Sequence, residues 1–325
     1  MKKIIYVLFL MFILLLSITG CFGNKLNETH MLNRPFSAQL LSGGKILITD
    51  GGGYFWDDHG SKIMIINRRG RVLWAFTEGL KYAHDACSLE NGNILIADTN
   101  NDRIIEVDKA GKVIWSSEAW GDKTSLKSPI GVSALANNHI LISDRDNNRI
   151  IETDKDGNIY WSYKCSGRVG KAQRLDNGNT LICDTEAGRI IEVNEKGEIV
   201  WKHHDLYLPE DADYLSNGNI LITETKRNRI FEVDPRGNTV WEYKGDLIMP
   251  TEADRLPNGN TLICHDHRAQ IIEVNKEGKI VWRFHNFKTH YKTKLSNGDF
   301  ETASPESPSI PAGWIPSTTT SRSGR

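Results

Sequence analysis

The sequence lacks the uninterrupted helical stretches and the charge excess that would mark several common classes of protein. Beyond the first twenty residues, Gly, Asn and Asp divide the apolar residues into short runs, which is typical of strands and not of helices. The 40 Lys and Arg residues are balanced by 41 Asp and Glu, for a formal net charge of -1, so no nucleic-acid partner is expected. No C-x-x-C pair occurs among the five cysteines, and their spacing matches no zinc-binding or thioredoxin-like motif.

The one long apolar run lies at the N-terminus, where residues 4–18 follow a basic start and lead to Cys21. Small residues before a cysteine at the end of such a run are typical of a lipoprotein signal. We expect residues 1–20 to be the signal peptide, Cys21 to carry the lipid, and residues 21–33 to be a tether. The chain would then be an extracytoplasmic lipoprotein, held at the membrane on the cell surface or in the periplasm. An uncleaved membrane anchor and a plain signal peptide are the alternatives.

A repeated unit fills residues 34–286. His84–Trp115 is a representative copy, with four short apolar runs separated by tight turns such as the one at Asn91-Gly92. The six copies close with tryptophans at intervals of 41, 46, 40, 40 and 41 residues: Trp74, Trp115, Trp161, Trp201, Trp241 and Trp282. Four strands per unit at this period are typical of propeller blades. The sequence therefore predicts an all-β fold, a six-bladed β-propeller of four-stranded antiparallel blades.

The tail, residues 287–325, is rich in Ser, Thr and Pro and allows two interpretations. The Asn297-Gly298 turn lies close to the register of a seventh first strand, so the tail could contain a truncated blade. The same turn, followed by Gly313-Trp314, also resembles the opening of a carbohydrate-binding module. From residue 302 onward the composition cannot bury a core.

The repeat itself separates scaffold from site, because residue types that recur in every copy are architectural and those that differ are candidates for function. A carboxylate followed five residues later by arginine recurs and predicts structural ion pairs: Asp98 and Arg103, Asp144 and Arg149, Asp184 and Arg189, Glu224 and Arg229. The closing tryptophans are expected to pack between blades. Cys183 and Cys264 share a repeat position that holds small residues in other copies, which predicts small buried side chains.

The first strands, which would line the central channel, differ in their polar residues. The candidate ligand-binding residues on them are Asp85, Lys171, Arg174, Asp211, Asp213, Glu252 and Asp254. Carboxylates crowded in this way surround a cation such as Ca²⁺ or raise one another's pKa. Solvated, salt-bridged acids in a wet channel are the alternative. His84 is the one histidine at a channel mouth.

Copy six departs from the scaffold pattern. His265 stands where the other copies have a carboxylate, and Gln270 stands where four have arginine. His267 follows two residues after His265, and in an extended segment the two imidazoles would lie on one side, as metal ligands or an acid–base pair do. A surface turn without function is the alternative.

The units H-D-A-x-x-L-x-N-G-N-I-L-I-x-D, R-I-I-E-V-D and G-K-V-I-W resemble the repeats of arylsulfotransferase-type and pyrroloquinoline-quinone-like β-propellers. The segment A-D-T-N-N-D-R-I is also similar to NHL repeats. The arylsulfotransferase resemblance implies sulfuryl transfer through a histidine, for which His84 and His265 are candidates, with Arg255, Lys171 and Arg174 binding the anion. Quinone binding in this group implies eight blades and a stacking tryptophan in the channel, so a quinone is not expected with six copies.

Three functions are compatible with these patterns, because such repeats occur in enzymes and in non-enzymatic scaffolds. The first is a lipid-anchored binding or scaffolding module that holds a small molecule, a glycan or a protein at the channel mouth. The second is an aryl-sulfate sulfotransferase, which requires His84, His265 and Arg255 to converge. The third is a lactonase-like hydrolase that holds a divalent metal on the channel carboxylates. The regular blades and the sparse catalytic signals favour the binding module.

Overall fold

The computed structural model describes residues 32–53, 60–285, 293–294 and 300–301. The expected signal peptide, Cys21 and most of the tether and tail lie outside these residues. The chain divides into two compact units, Met1–Asn286 and Phe287–Arg325. Within the described ranges, no helix is both long enough and apolar enough to cross a membrane.

The first unit contains six four-stranded antiparallel sheets, each built from consecutive strands. Blade 1 consists of β1 (Pro35–Leu40), β2 (Ile46–Asp50), β3 (Lys62–Ile66) and β4 (Val72–Phe76). Blade 2 consists of β5 (Asp85–Ser88), β6 (Ile94–Asp98), β7 (Arg103–Val107) and β8 (Val113–Ser116). Blade 3 consists of β9 (Pro129–Ala134), β10 (Ile140–Asp144), β11 (Arg149–Thr153) and β12 (Ile159–Lys164).

The remaining blades repeat the same order. Blade 4 consists of β13 (Ala172–Arg174), β14 (Thr180–Asp184), β15 (Arg189–Val193) and β16 (Ile199–His203). Blade 5 consists of β17 (Pro209–Tyr214), β18 (Ile220–Glu224), β19 (Arg229–Val233) and β20 (Thr239–Tyr243). Blade 6 consists of β21 (Pro250–Arg255), β22 (Thr261–His265), β23 (Gln270–Val274) and β24 (Ile280–His285). The predicted six-bladed β-propeller is confirmed. In the second unit, β25 (Thr293–Lys294) pairs with β26 (Phe300–Glu301).

Local sequence explains the first hairpin of each blade. In blade 2, Leu89 N–H donates to the carbonyl of Asn93 at 2.8 Å, and the Asn91 side chain accepts from Asn93 N–H at 2.9 Å. Gly92 takes a φ of 82°, a left-handed value that favours glycine. The predicted turn at Asn91-Gly92 therefore forms and joins β5 to β6.

The hydrophobic core lies between blades, because each sheet buries its faces against its neighbours. The cluster that closes the ring joins Ile48 and Met64 of blade 1 to Leu262 and Ile271 of blade 6, all almost fully buried. Cys183 and Cys264 are each 1% exposed within such clusters, so the prediction of small buried side chains is confirmed.

The six closing tryptophans connect neighbouring blades, as predicted. Each indole N–H donates to a backbone carbonyl in the last turn of the next blade: Trp74 to Lys109 at 3.1 Å, Trp115 to Lys155 at 3.1 Å, Trp161 to Glu195 at 3.2 Å, Trp201 to Pro235 at 3.0 Å, Trp241 to Lys276 at 2.9 Å, and Trp282 to Arg68 at 2.8 Å. The bond from Trp282 joins blade 6 to blade 1. The ring is thus closed by the same contact that joins the other blades.

The predicted structural ion pairs are also present. The arginine Nε lies 2.8 Å from the carboxylate in the pair of Asp98 and Arg103, and 2.7 Å in the pair of Asp144 and Arg149. Both carboxylates are fully buried, and each also accepts a backbone N–H from the loop before the first strand, Lys81 for Asp98 and Lys127 for Asp144, at 2.7 Å. Each buried carboxylate therefore also holds the loop that leads into the first strand of its blade.

Candidate functional site

Four charged side chains meet in the channel and form what we call the central layer: Asp85, Lys171, Asp211 and Glu252. Lys171 Nζ donates to Asp85 Oδ1 at 2.9 Å and to Glu252. Burial alone would lower the pKa of Lys171, but Asp85, Glu252 and Asp211 raise it well above its ordinary value. The ammonium group therefore stays charged and ties blade 4 to blades 2 and 6.

The carboxylates of the central layer also bind the backbone of the next blade. The acceptor and donor pairs are Asp85 Oδ2 with Val132 N at 3.0 Å, Asp211 Oδ2 with Ala253 N at 3.1 Å, and Glu252 with Ala38 N. Burial raises the pKa of Glu252, and Lys171 opposes this. Both oxygens of Glu252 face donors, so the arrangement holds the ionised form. The central layer is a structural network that joins blades around the channel.

The cation that the crowded channel carboxylates surround is an ammonium group of the chain itself. Among the residues that the structure describes, no group of three or more His, Cys, Asp or Glu side chains is placed to hold a metal ion. Lys171 supplies, within hydrogen-bond distance of Asp85 and Glu252, the positive charge that a divalent ion would supply. This geometry gives no support to the lactonase-like interpretation.

A cavity of 180 Å³ lies beside the central layer at the N-terminal ends of the first strands, and we call it the upper chamber. Its wall includes Phe36, Tyr82, His84, Arg145, Glu210 and Met249, with Lys171 shared with the central layer. These residues come from all six blades. Side chains from around the ring therefore meet at the upper chamber.

Aromatic rings form one side of the upper chamber. The ring of His84 stacks on Phe36 with centroids 3.9 Å apart and planes at 11°, and Tyr82 meets Phe36 edge-on at 5.2 Å. Burial, and then the charges of Arg145, Arg34 and Lys171, lower the pKa of His84 well below its ordinary value. The imidazole is thus uncharged at neutral pH, and it contributes a flat aromatic surface to the chamber wall.

The charged groups of the chamber differ in how closely a group of opposite charge is paired with them. Arg34 donates from Nε to Asp266 Oδ1 at 2.6 Å and also binds Asp266 Oδ2, a two-pronged pair. Arg145 contacts its neighbour Asp146 through Nε at 3.3 Å. Burial raises the pKa of Glu210 to about 7, with the charge of Arg145 acting in the opposite direction.

A larger cavity of 850 Å³, the lower cavity, is lined by the C-terminal halves of the first strands of blades 5 and 6. Asp213 and Asp254 lie there, close enough for each side chain to change the pKa of the other. Burial and the charge of Asp211 raise the pKa of Asp254 to about 6, and burial with the neighbouring carboxylates raises that of Asp213 well above its ordinary value. Crowding and burial therefore favour the protonated form of both groups.

Arg174 and Arg255, two candidate anion-binding residues, occupy the same repeat position and make the same contacts. Arg255 stacks over Trp241 at 4.5 Å and pairs with Glu232 at 2.7 Å. Arg174 stacks over the corresponding tryptophan at 5.0 Å and pairs with the corresponding glutamate at 2.8 Å. Each guanidinium group is therefore engaged by the tryptophan and the glutamate of the preceding blade.

His265 is fully buried inside blade 6, and neither of its ring nitrogens has a hydrogen-bond partner in the described part of the chain. Burial lowers its pKa to about 4. The prediction that His265 and His267 lie on one side is wrong, because β22 ends at His265 and Asp266–Arg268 form a 3₁₀ turn. The His267 side chain is 45% exposed, so it lies at the surface.

The structure does not bring the three proposed catalytic residues together. His84 lines the upper chamber, Arg255 lines the lower cavity, and His265 is enclosed within its own blade. A sulfotransferase site required these residues to converge, and this geometry does not meet that requirement.

Arg145 and Asp266 were missed as site residues, although the repeat contains a signal for both. They occupy the position directly after the scaffold carboxylate, or its replacement His265. In three blades this position holds a threonine that donates to a carbonyl of the next blade: Thr99 to Pro129 at 2.8 Å, Thr185 to Pro209 at 2.6 Å, and Thr225 to Pro250 at 2.7 Å. Blades 3 and 6 replace this structural threonine with charged residues that line the upper chamber.

Comparison with known proteins supports this architecture. A PQQ-type family model, described as outer membrane protein assembly factor BamB, matches residues 100–256. The search of curated proteins gave no match. The chain is a six-bladed β-propeller, and its similarity to the PQQ-type model over these residues supports a PQQ-like propeller. The arylsulfotransferase part of the expected resemblance is not supported.

Solved structures share the fold at low sequence identity. A protein of unknown function from Bacteroides caccae is 17% identical with a TM-score of 0.61, over 74% of this chain and 93% of that chain. A streptogramin B lyase is 15% identical with a TM-score of 0.57, over 78% and 83%. The WD40 β-propeller domain of Doa1 is 12% identical with a TM-score of 0.59, over 78% and 83%. At these identities the likeness shows the fold alone.

Proposed function

We propose that this protein is a lipid-anchored, extracytoplasmic binding module whose ligand enters the upper chamber. The observation that carries the proposal is the convergence, in this chamber, of side chains that differ from blade to blade. The recurring side chains, in contrast, are engaged in holding blades together. The match to a family model described as an assembly factor supports a role in binding.

A fixed backbone presents variable side chains to the chamber. Tyr82, Leu208 and Met249 occupy one repeat position before the first strand, and their φ angles are 52°, 59° and 51°. Such left-handed values are uncommon for bulky residues and cost on the order of 1–3 kcal/mol each, so the surrounding structure must enforce them. All three residues line the chamber. These three blades thus share a strained backbone conformation at this position and differ in the side chain that it presents to the chamber, as a binding site requires.

Filling the chamber is expected to abolish ligand binding. Met249→Trp places an indole into the 180 Å³ cavity, whereas Arg168→Trp makes a similar addition at the same repeat position of blade 4, where the side chain is 64% exposed. Ligand-observed NMR against a small-molecule fragment library would compare both variants with the wild-type protein. We expect hits on the wild type to persist with Arg168→Trp and to disappear with Met249→Trp. Hits that survive Met249→Trp, or a library without hits, would count against the proposal.

The anchor is tested separately. We expect mass spectrometry of the N-terminal peptide to show a diacylglyceryl group on Cys21, since the apolar run before it is typical of a lipoprotein signal. A Cys21→Ser variant should leave the membrane fraction, and a Cys87→Ser variant should stay in it. An unmodified Cys21 on a membrane-associated chain would rule out lipid anchoring.

A further inference from the structure

The cations of the upper chamber differ in whether a carboxylate compensates them. Arg34 is paired with Asp266 through two hydrogen bonds, and Lys171 is paired with Asp85 and Glu252. Arg145 contacts only Asp146 among the described residues, and it does so through Nε. Its two terminal nitrogens therefore have no hydrogen-bond partner among the described residues and remain for a ligand.

Glu210 also lines the upper chamber, and Arg145 is the charge that acts most strongly on it. The two form no ion pair within 4 Å in the described part of the chain. The other charged groups that act on Glu210 are Asp211 of its own strand and Arg168 of blade 4. Across the chamber stand the Arg34 and Asp266 pair, Tyr82, the neutral His84, and Lys171 with its carboxylates.

Apart from Thr225 and Thr251, the rest of the wall is apolar. Phe36, Ile130, Leu208 and Met249 contribute hydrocarbon surface to the chamber. A volume of 180 Å³ corresponds to roughly six water molecules at ~30 Å³ each, which is the scale of a small organic acid. A planar carboxylate matches the two-pronged donor geometry of arginine.

We propose that the upper chamber binds a small apolar monocarboxylate on Arg145, and that the protonation of Glu210 controls its affinity. This inference rests on the proposed function, because it assigns the ligand class of the same chamber. When Glu210 is ionised, it repels the incoming carboxylate and competes for Arg145. When it is protonated, the repulsion is gone and its O–H can donate to the ligand.

The sign of the pH dependence follows from this competition. Binding takes up one proton above the pKa of Glu210, which is about 7, so affinity rises as the pH falls and levels off below that value. If the ionised form excludes the ligand, the affinity should increase roughly tenfold from pH 8 to pH 6. His84 does not add to this change, because its pKa lies well below the range.

Calorimetry with benzoate and its neutral analogue benzamide, on the full-length protein between pH 6 and pH 8, tests the inference. Benzoate should bind more tightly than benzamide and should strengthen about tenfold on acidification, while benzamide should show no pH dependence. Glu210→Gln should bind benzoate at the wild-type pH 6 affinity throughout. Arg145→Gln should lose at least tenfold in benzoate affinity and keep its benzamide affinity. Glu186→Gln, at a carboxylate that is 61% exposed, is the matched control and should behave as wild type.

Two results would overturn the inference, and they differ in whether they also contradict the proposed function. Equal, pH-independent binding of both compounds would show that the chamber holds ligands without selecting an anion, which leaves the proposed function standing. Absence of binding by either compound at millimolar concentration, with unchanged melting temperatures for all variants, would contradict both the ligand class and the chamber as a binding site.

Discussion

Replacing Lys171 with methionine is expected to destabilise the propeller by roughly 3–5 kcal/mol at pH 7, because buried carboxylates would lose the cation between them. Methionine keeps a side chain of similar length, so the main change is the loss of charge. Lys171 donates to Asp85 and Glu252 and attracts Asp211, so one substitution affects blades 2, 5 and 6 together. Thermal and denaturant unfolding would measure the loss.

The matched control is Lys155→Met. Lys155 also pairs with a buried glutamate of another blade, Glu106, but its own side chain is 46% exposed and lies at the rim. A solvent-screened pair of this kind contributes within about 1 kcal/mol. Equal losses of unfolding free energy in the two variants would show that an ion pair in the channel stabilises the protein no more than one at the rim. That result would contradict the central layer as the network that joins the blades.

The pH dependence of the Lys171 variant provides a second readout. In the wild type, the pKa of Lys171 is raised, so its contribution is fully present below pH 10.5 and is lost only as the pH rises through the still higher folded value. In the variant, the carboxylates keep their burial and lose the charge that lowered their pKa. The folded state then holds protons that the unfolded chain has released, so variant stability falls as the pH rises above about 4. Acidification from pH 8 to pH 5 should narrow the gap to wild type.

The periodic features of this protein could be predicted from sequence, and the contacts across the ring could not. The forty-residue period, the turns and the closing tryptophans are local or repeated signals, and they give the blades and their number. The partners of Lys171 lie 86 residues before it and 81 residues after it, and only the closed ring brings them together. The sequence therefore identified the charged positions without showing that lysine takes the place of a cation among them.

Two other differences have equally physical reasons. Arg174 and Arg255 vary along the first strands, whereas their partners, a tryptophan and a glutamate, belong to the preceding blade and are not visible in the sequence of one strand. His265 and His267 were placed on one side by strand periodicity, which ends at His265 where the 3₁₀ turn begins. Arg145 was within reach of the repeat comparison, since it replaces a structural threonine that three blades retain.

Restoring the scaffold pair in blade 6 is expected to stabilise the protein. His265→Asp combined with Gln270→Arg recreates the pair that blade 2 forms with Asp98 and Arg103 at 2.8 Å. The imidazole of His265 has two buried nitrogens without partners among the residues that the structure describes, and each such group costs about 1–3 kcal/mol. The double variant should gain at least about 1–3 kcal/mol in unfolding free energy, or a few degrees in melting temperature for a chain of this size.

The reverse change should have the larger and opposite effect. Asp98 accepts hydrogen bonds from Lys81 N–H, Asn101 and Arg103, so Asp98→His leaves three donors unsatisfied and should cost roughly 3–5 kcal/mol. A loss of stability in both variants would show that blade 6 has adapted to its histidine, and would refute the idea that His265 is an uncompensated departure from the repeat.

Acid sensitivity separates the role of His265 from a general effect of the substitutions. Burial lowers the pKa of His265 to about 4, so between pH 6.5 and pH 4 the unfolded chain binds a proton at this position and the folded chain does not. Wild-type stability should therefore fall as the pH drops through this range, by up to about 3 kcal/mol from this group alone. His265→Leu removes the imidazole without restoring the ion pair, and it should abolish the same part of the acid loss. If the loss of stability in acid did not depend on His265, its imidazole would have to be protonated in the folded state. Its buried nitrogens would then need a hydrogen-bond acceptor within blade 6.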